Sequence, residues 1–288
     1  MLKTILDVVI GGLIMGGIYA LISMGLSMQY GVAHILNVSH GEFIMVGAFV
    51  TLILQSVGVH PVLALVICCP FILAVGFLLH RTLYKRLSDI APSAGAFEGN
   101  AMLISFGLMF IISNVATMLW GSSPRGYSFM AYSVTIGGTQ FPANRVFVLV
   151  LALVVSLLFY LFLMKTRLGK SIRAAAQDPV AAGLMGVKIN TVMAICFGMG
   201  SLLAGVAGSL LSMIYNINTS MGMSYTIIAI IVVVLGGLGS IPGSLIGGFI
   251  LGLIGSAVSY IEPSLALIAF YIIIMALLLV RPKGLLGR

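Results

Sequence analysis

The sequence predicts an all-α, polytopic helical membrane protein, and three observations carry that prediction. Mean hydropathy is +1.23, with 61% of residues hydrophobic and 7% charged. Apolar runs near 20 residues recur along the chain, each long enough to cross ~30 Å of hydrocarbon at ~1.5 Å per residue. Glycine occurs 35 times, which suits close approach of helices in lipid. Backbone groups in hydrocarbon must be paired within the chain, so the spans are helical. Nothing between the runs is long enough for a soluble domain, so residues 1–288 read as a single integral-membrane domain.

The runs fall at roughly 5–29, 40–57, 61–83, 100–120, 144–165, 190–215, 223–239, 243–260 and 264–281. The first begins Met1-Leu2-Lys3 and resembles a signal peptide. It continues to Met28 and many more follow, so it reads as a retained span. Residues 31–57 and 223–260 read as broken or re-entrant, which leaves about eight or nine crossings.

Charge sets orientation. Eleven of the 14 basic residues, all but Lys3, Arg125 and Arg145, fall in three places. Arg81, Lys85 and Arg86 follow the third run; Lys165, Arg167, Lys170, Arg173 and Lys188 bracket residues 174–187; Arg281, Lys283 and Arg288 close the chain. The positive-inside rule puts 81–99, 166–189 and the C-terminus in the cytoplasm. The net charge of +8 is then topogenic rather than a nucleic-acid footprint. Nine crossings put the N-terminus outside, and a re-entrant 31–40 region puts it inside. Cys68, Cys69 and Cys196 have no metal spacing and no disulfide framework.

The Gly-, Ser- and Tyr-rich segment 121–143 reads as an extracytoplasmic loop with a short strand or an interfacial helix. Tyr127 and Tyr132 suit an aromatic belt or a partner that delivers substrate.

Residues 174–190 read AAAQDPVAAGLMGVKIN. Asp178 accepts from first-turn amides, Pro179 is preset for the first helical position, Gly183 weakens the interior by ~1 kcal/mol, and Gly186 suits a C-cap. About two turns result, too few to persist alone in water, so something packs on them. Val180, Leu184, Met185 and Val187 are read as the outward apolar surface. Two readings stay open on physics alone: a loop lying on lipid headgroups, or a knob seated in a groove of a soluble partner. The string Gly169-Lys170-Ser171 fails as a phosphate loop, because Met164 stands where Gly is needed and no strand precedes it. No nucleotide site is read in this chain.

Asn37, His40 and Glu42 stand at the start of an apolar run. Asn37 and His40 are placed to cap the following helix, and Glu42 gains from its dipole. The alternative is a lining or gating role on a translocation path. A metal site from His34, His40 and Glu42 is disfavoured, because His34 and His40 are six apart and off one helical face. Residues 234–248, VLGGLGSIPGSLIGG, read as a tight turn around Pro242 between two half-buried helices. Gly236, Gly237 and Gly239 are either packing glycines or a gate or hinge near the path.

Three stretches together carry a family resemblance: T-R-L-G-K-S-I-R-A-A-A-Q-D-P-V-A-A-G-L-M-G-V at 166–187, N-V-S-H-G-E-F-I-M-V-G-A at 37–48, and V-L-G-G-L-G-S-I-P-G-S-L-I-G-G at 234–248, with R-P-K-G-L-L-G-R closing the chain. The chain resembles the shorter, H-type permease of branched-chain amino-acid ABC importers over essentially its whole length. That resemblance implies a pore shared with a longer M-type permease, usually as a heterodimer. It implies two cytoplasmic ATPases, a periplasmic or lipid-anchored binding protein, and a place in the bacterial inner membrane. No cofactor is implied in this chain, since ATP and Mg belong to the partner subunits. It implies that residues 173–187 are the coupling helix in an ATPase groove, with Arg173, Gln177, Asp178, Pro179, Ala182, Leu184, Met185, Gly186 and Val187 at the contact. Substrates in such a family include leucine, isoleucine and valine by default, and also urea, short amides and aromatic acids. An ion-coupled secondary transporter needs a carboxylate near the midplane, and the six acids here, Asp7, Glu42, Asp89, Glu98, Asp178 and Glu262, are read at ends or in loops. No catalytic pair is placed in a span, which argues against an enzyme.

Overall fold

A computed structural model describes residues 2–136 and 139–287. Gly137 and Gly138 of the 121–143 loop, and Arg288 of the basic tail, lie outside the described residues. The chain is helical almost throughout. Among the described residues, seven helices are long and apolar enough to cross a membrane: Thr4–Ala33, Pro61–Ile90, Ala94–Trp120, Ala143–Lys165, Ile189–Ser212, Ile241–Ile261 and Pro263–Val280. Two shorter apolar helices, His40–Ser56 and Met221–Gly236, accompany them.

In chain order, α1 (Leu2–Ala33) is followed by α2 (His40–Ser56) and α3 (Pro61–Leu79). A π turn, His80–Tyr84, carries α3 on into α4 (Lys85–Ile90). Residues 81–90 are thus helix, not loop, and only residues 91–93 separate them from α5 (Ala94–Trp120). The 121–143 segment contains an antiparallel hairpin, β1 (Ser133–Ile136) and β2 (Thr139–Pro142), with Ser133 opposite Pro142. Then come α6 (Ala143–Lys165), α7 (Arg167–Gln177), α8 (Pro179–Leu184), α9 (Ile189–Ser212), α10 (Met221–Gly236), α11 (Ile241–Ile261) and α12 (Ala266–Val280).

Glycine decides which helices meet. On α1, Gly12, Gly16 and Ala20 recur every four residues; on α11, Gly248, Gly252 and Ser256 do the same. A Cβ at Gly12 or Gly16 would strike the Leu253 or Phe249 backbone, and one at Gly248 would strike Ala20. The two stripes therefore pack backbone against backbone, which gains dispersion contacts that lipid cannot supply. The same arrangement places Gly47 of α2 on Gly205 of α9, Gly208 of α9 on Ile44, and Gly76 of α3 on Gly198. Helix α9 is the most enclosed span, and Leu203, Ala204, Ala207, Leu210 and Leu211 sit in the principal core.

The basic positions gather at one end. Arg81 and Lys85 share a small pocket with Asn190 and Thr191 at the start of α9. The tail beginning at Arg281 returns to the end of α10, where the Leu285 and Leu286 amides donate to the carbonyls of Leu235 and Gly236 at 2.9 and 3.0 Å. Below, "basic end" means the end holding α7, α8 and this tail, and the β1–β2 hairpin marks the opposite end.

Both short helices begin inside the protein. Helix α1 stops at Ala33 because His34 takes a left-handed backbone with φ 53°, a conformation that His tolerates better than most residues. Residues 34–39 then double back. His40, the first residue of α2, places its Nε2 2.9 Å from the Ile22 carbonyl, which lies about 16 Å before the end of α1 at ~1.5 Å per residue. Helix α9 ends at Ser212, and residues 213–220 lead into α10. The second break therefore precedes Met221 rather than lying inside 223–260, where the one interruption is the glycine turn at residues 237–240. Each break carries the same signature, Asn37-Val-Ser39-His-Gly41 and Asn218-Thr-Ser220-Met-Gly222. In each, the Asn Oδ1 accepts from both the amide and the hydroxyl of the Ser two residues on, at 3.1 and 2.6 Å for Asn37 and 3.1 and 3.1 Å for Asn218.

These signatures mark an inverted repeat. Helices α1 and α9 are antiparallel, with Gly25 against Gly200 and Gln29 against Phe197 and Ser201. Helix α3 packs on α9 as α11 packs on α1; α2 contacts α3 and α5 as α10 contacts α11 and α12. The relation maps α1, α2, α3 and α5 onto α9, α10, α11 and α12.

Candidate functional site

Two sites were expected, one at residues 173–187 and one joining Asn37, His40 and Glu42 to the glycines at 236–239. The first exists as a self-contained stub. Thr166 caps α7 by accepting from the Gly169 amide at 3.0 Å. Ile172 and Ala175 of α7 are buried, so α7 lies against the bundle by its apolar side. Asp178 then caps α8, its Oδ1 accepting from the amides of Val180 and Ala181 at 2.9 Å each, with Pro179 at the first helical position. At the other end Gly186 has φ 86°. Its amide donates to Gly183 at 3.0 Å, and the Val187 amide donates to Ala182 at 3.1 Å, the paired bonds of a Schellman closure.

With both ends closed, the stub needs no partner to satisfy its backbone. Its side chains divide sharply. Val180, Leu184 and Met185 are 72%, 86% and 86% exposed, and Arg173, Gln177, Asp178, Pro179 and Gly186 are exposed too. Ala182 is buried, and Val187 packs half-buried on the core. The outward apolar face is therefore Val180, Leu184 and Met185, and Ala182 and Val187 serve as its foot. Removing the cap by Asp178→Ala should cost about 1 kcal/mol locally. Amide exchange at Val180 and Ala181 measures that loss.

The second set does not come together. Gly236 and Gly237 lie at the basic end. A Cβ at Gly237, whose φ is 101°, would strike Gly287, and one at Gly239, with φ 78°, would meet the Gly31 Cα at 3.1 Å. This turn is a backbone lock for the C-terminal tail. Gly236 stands fifteen residues along α10 from Met221, or about 22 Å. Gly237→Val should destabilise the protein strongly, by left-handed strain of ~1–2 kcal/mol plus overlap with Gly287; a fall in thermal midpoint in detergent measures it.

Asn37, His40 and Glu42 lie instead at the centre. None is more than 2% exposed. Asn37 and His40 do not cap α2: Ser39 is the N-cap residue, and no side chain bonds the first turn from that position. The Asn37 amide donates to Gln29 at 3.2 Å, and Gln29 in turn donates to the Phe197 carbonyl at 3.0 Å and to Ser201 at 3.2 Å. This chain of amides ties the first break to both α1 and α9. Glu42 is read above at the end of a span. It is on a helix end, but that end is internal.

The N-termini of α2 and α10 meet at a seam. A Cβ at Gly41 would land on the Gly222 carbonyl, and one at Gly222 would land on the Glu42 carboxylate. Thr226 of α10 bolts the seam: its Oγ1 accepts from the Gly41 amide at 2.8 Å and donates to the Val38 carbonyl at 3.1 Å. Glu42 Oε2 and His40 Nδ1 are buried without a partner in the chain. Unpaired polar atoms at this depth are costly and mark functional places in membrane proteins. His34 is elsewhere, exposed and 3.5 Å from Glu98, and among the described residues no group of three or more His, Cys, Asp or Glu side chains is placed to hold a metal.

Sequence reasoning missed the partner of the 37–42 motif. The signal was present: Asn-x-Ser-x-Gly occurs at 37–41 and again at 218–222. Five positions with two variables carry little weight until both copies are seen to precede short apolar helices.

Residues 8–280 match the family model described as "Branched-chain amino acid transport system / permease component". The high-affinity branched-chain amino acid transport system permease protein BraD of Pseudomonas aeruginosa is 30% identical, covering 98% of this chain and 96% of that protein. LivH of Salmonella typhimurium, with the same description, is 30% identical over 96% of this chain and 94% of its own. The probable permease LivH of Methanocaldococcus jannaschii is 27% identical over 96% and 91%. No solved structure matches. A match over nearly the whole length, including both central breaks and the α7–α8 stub, places this chain in the branched-chain amino acid transport system permease family.

Proposed function

We propose that this chain is a transmembrane permease subunit of an ATP-binding-cassette importer for branched-chain amino acids. It forms half of a translocation path, and separate ATPase subunits supply the energy. The partners are a paralogous M-type permease, two cytoplasmic ATPases that bind ATP and Mg, and a periplasmic or lipid-anchored binding protein. The complex sits in the bacterial inner membrane, with the basic end and the C-terminus in the cytoplasm.

One observation carries the reading: full-length similarity to permeases of that transport system. The stub supports it physically. A short helix closed at both ends, standing on a buried foot and presenting three apolar side chains outward, is shaped to be held by a groove. Its position between Lys165 and Lys188 agrees with the cytoplasmic side.

Glu42 meets the chemical requirement of an ion-coupled carrier, a buried central carboxylate, so the energy source must be tested directly. The reconstituted four-component assembly should take up leucine only with ATP, and excess isoleucine or valine should block it while urea does not. Uptake by this chain alone, driven by an ion gradient, would sink the proposal. Sidedness has its own test. Gly183 is exposed, and Gly183→Cys should react with an impermeant maleimide only from the cytoplasmic face.

A further inference from the structure

A cleft of about 730 Å³ opens toward the end away from the basic tail, between α1, α10, α11 and α12. Its volume suits a small ligand. Asp7 and Arg145 stand at its mouth and Tyr19, Ile228 and Phe270 line it further in. Along α1 the lining runs from Asp7 to Tyr19, about 18 Å at ~1.5 Å per residue. The Tyr19 and Phe270 rings meet edge-on with centroids 6.3 Å apart. Both signs of charge are present and not paired with each other: the ion pair within 4 Å among the described residues is His34–Glu98.

One wall of the cleft is the first turn of α10, through Ser220, Met221, Ser224 and Tyr225. The N-terminus of a helix carries about half a positive charge and favours an anion. No side chain caps this turn from Ser220. Behind it lies the seam: the Glu42 carboxylate sits against Gly222, 2% exposed and with Oε2 unpartnered. An orphaned buried carboxylate set one residue behind an uncapped helix start offers, in sequence, a place for an anion and a place for a cation.

We propose that this cleft is the chain's own receiving site for its substrate, a zwitterionic amino acid with an aliphatic side chain. Arg145 and Asp7 orient the carboxylate and the ammonium at the mouth. Deeper in, the carboxylate settles on the first turn of α10 beside Tyr225, and the aliphatic side chain lies against Ile228 and Phe270. The ammonium then faces the α2–α10 seam, where the Glu42 carboxylate behind Gly222 is the nearest buried negative charge. Discontinuous helices present their termini to zwitterions in this way in other membrane transporters. The inference rests on the proposed permease function and adds a binding site within this chain to it.

The test is protection of a cysteine placed in the cleft. In the assembled transporter, with Cys69 changed to Ser, Ser224→Cys is treated with a water-soluble methanethiosulfonate, and Ser259→Cys nearer the mouth serves as a second probe. Leucine at about ten times its Kd should slow both reactions about tenfold, by occupancy alone. A control cysteine at Ser123, in the loop after α5, should be unaffected. Arg145→Gln should raise the leucine concentration for half-protection about tenfold or more, the loss expected for one charge-assisted hydrogen bond. The same vesicles are first assayed for leucine uptake. Vesicles that import leucine while both cleft cysteines react at an unchanged rate would overturn the cleft site and leave the permease reading standing. Cysteines that react in the isolated chain but are shielded in the assembly without leucine would also overturn it, since the cleft would then be covered by the second permease. Wild-type vesicles that import no leucine would count against the function itself.

Discussion

Replacing both Leu184 and Met185 with Glu should abolish transport while leaving the chain folded and inserted. Each side chain is 86% exposed, so the isolated chain loses almost no packing. Both caps of α8 use backbone groups and Asp178, so the stub keeps its shape. The whole effect should fall on whatever holds it. Anchors in a buried groove are each worth ~2 kcal/mol or more, and a charge brought into such a groove unpaired adds its desolvation cost. ATPase subunits should therefore co-purify poorly, with affinity down at least ~1,000-fold, and ATP hydrolysis should lose its dependence on the loaded binding protein. Thermal stability of the chain in detergent should be unchanged. Normal uptake by the double variant would show that α8 is not the grip. The matched control is Ala182→Glu: Ala182 is 6% exposed, so its damage should appear as instability, not as clean uncoupling.

The second large effect is expected at the seam. Gly41→Ala adds one methyl group, and that methyl has nowhere to go. Its ideal position overlaps the Gly222 carbonyl and comes within 2.6 Å of the Gly222 carbon. The obstacle is backbone, fixed by α10, so relief requires the two helices to part. Overpacking of this kind costs ~1–3 kcal/mol or more. Separation would also break the 2.8 Å bond from the Gly41 amide to Thr226. Loss of a stable fold, read as a fall in thermal midpoint and in yield, is the expected outcome. Gly99→Ala and Gly107→Ala, on α5 with nothing within 4 Å of the new methyl, should instead be neutral or stabilising by up to ~1 kcal/mol. The three substitutions differ in what the methyl meets, so equal effects would refute the account.

The legible and illegible parts of this molecule divide along physical lines. Span positions were readable because hydrocarbon imposes one requirement, apolarity over a fixed length, on every residue of a run. The α8 stub was readable because Asp178-Pro179 and Gly186 are local chemistry, acting on amides two or three positions away. The interior could not be read this way. Glu42 sits at the start of an apolar run, and a helix start normally means a membrane surface. Only the return path of residues 34–39 puts that start beside Ile22. Which residues meet Gly237 and Gly239 was equally hidden, because their partners are the tail at 283–287 and Gly31, far off in sequence. The direction of Val187 was misjudged for a related reason. On two turns of helix there is too little periodicity to say which side leans on the bundle.

The tail contact bears on when the molecule becomes whole. The carbonyls of Leu235 and Gly236 are satisfied by amides of Leu285 and Leu286, made by the ribosome some fifty residues later. Until those residues emerge, the central helix of the second half ends in open acceptors next to lipid or to the insertion machinery. The end of α10 is thus completed only when residues 283–287 arrive, and a nascent chain arrested before Lys283 should remain a client of the membrane insertase.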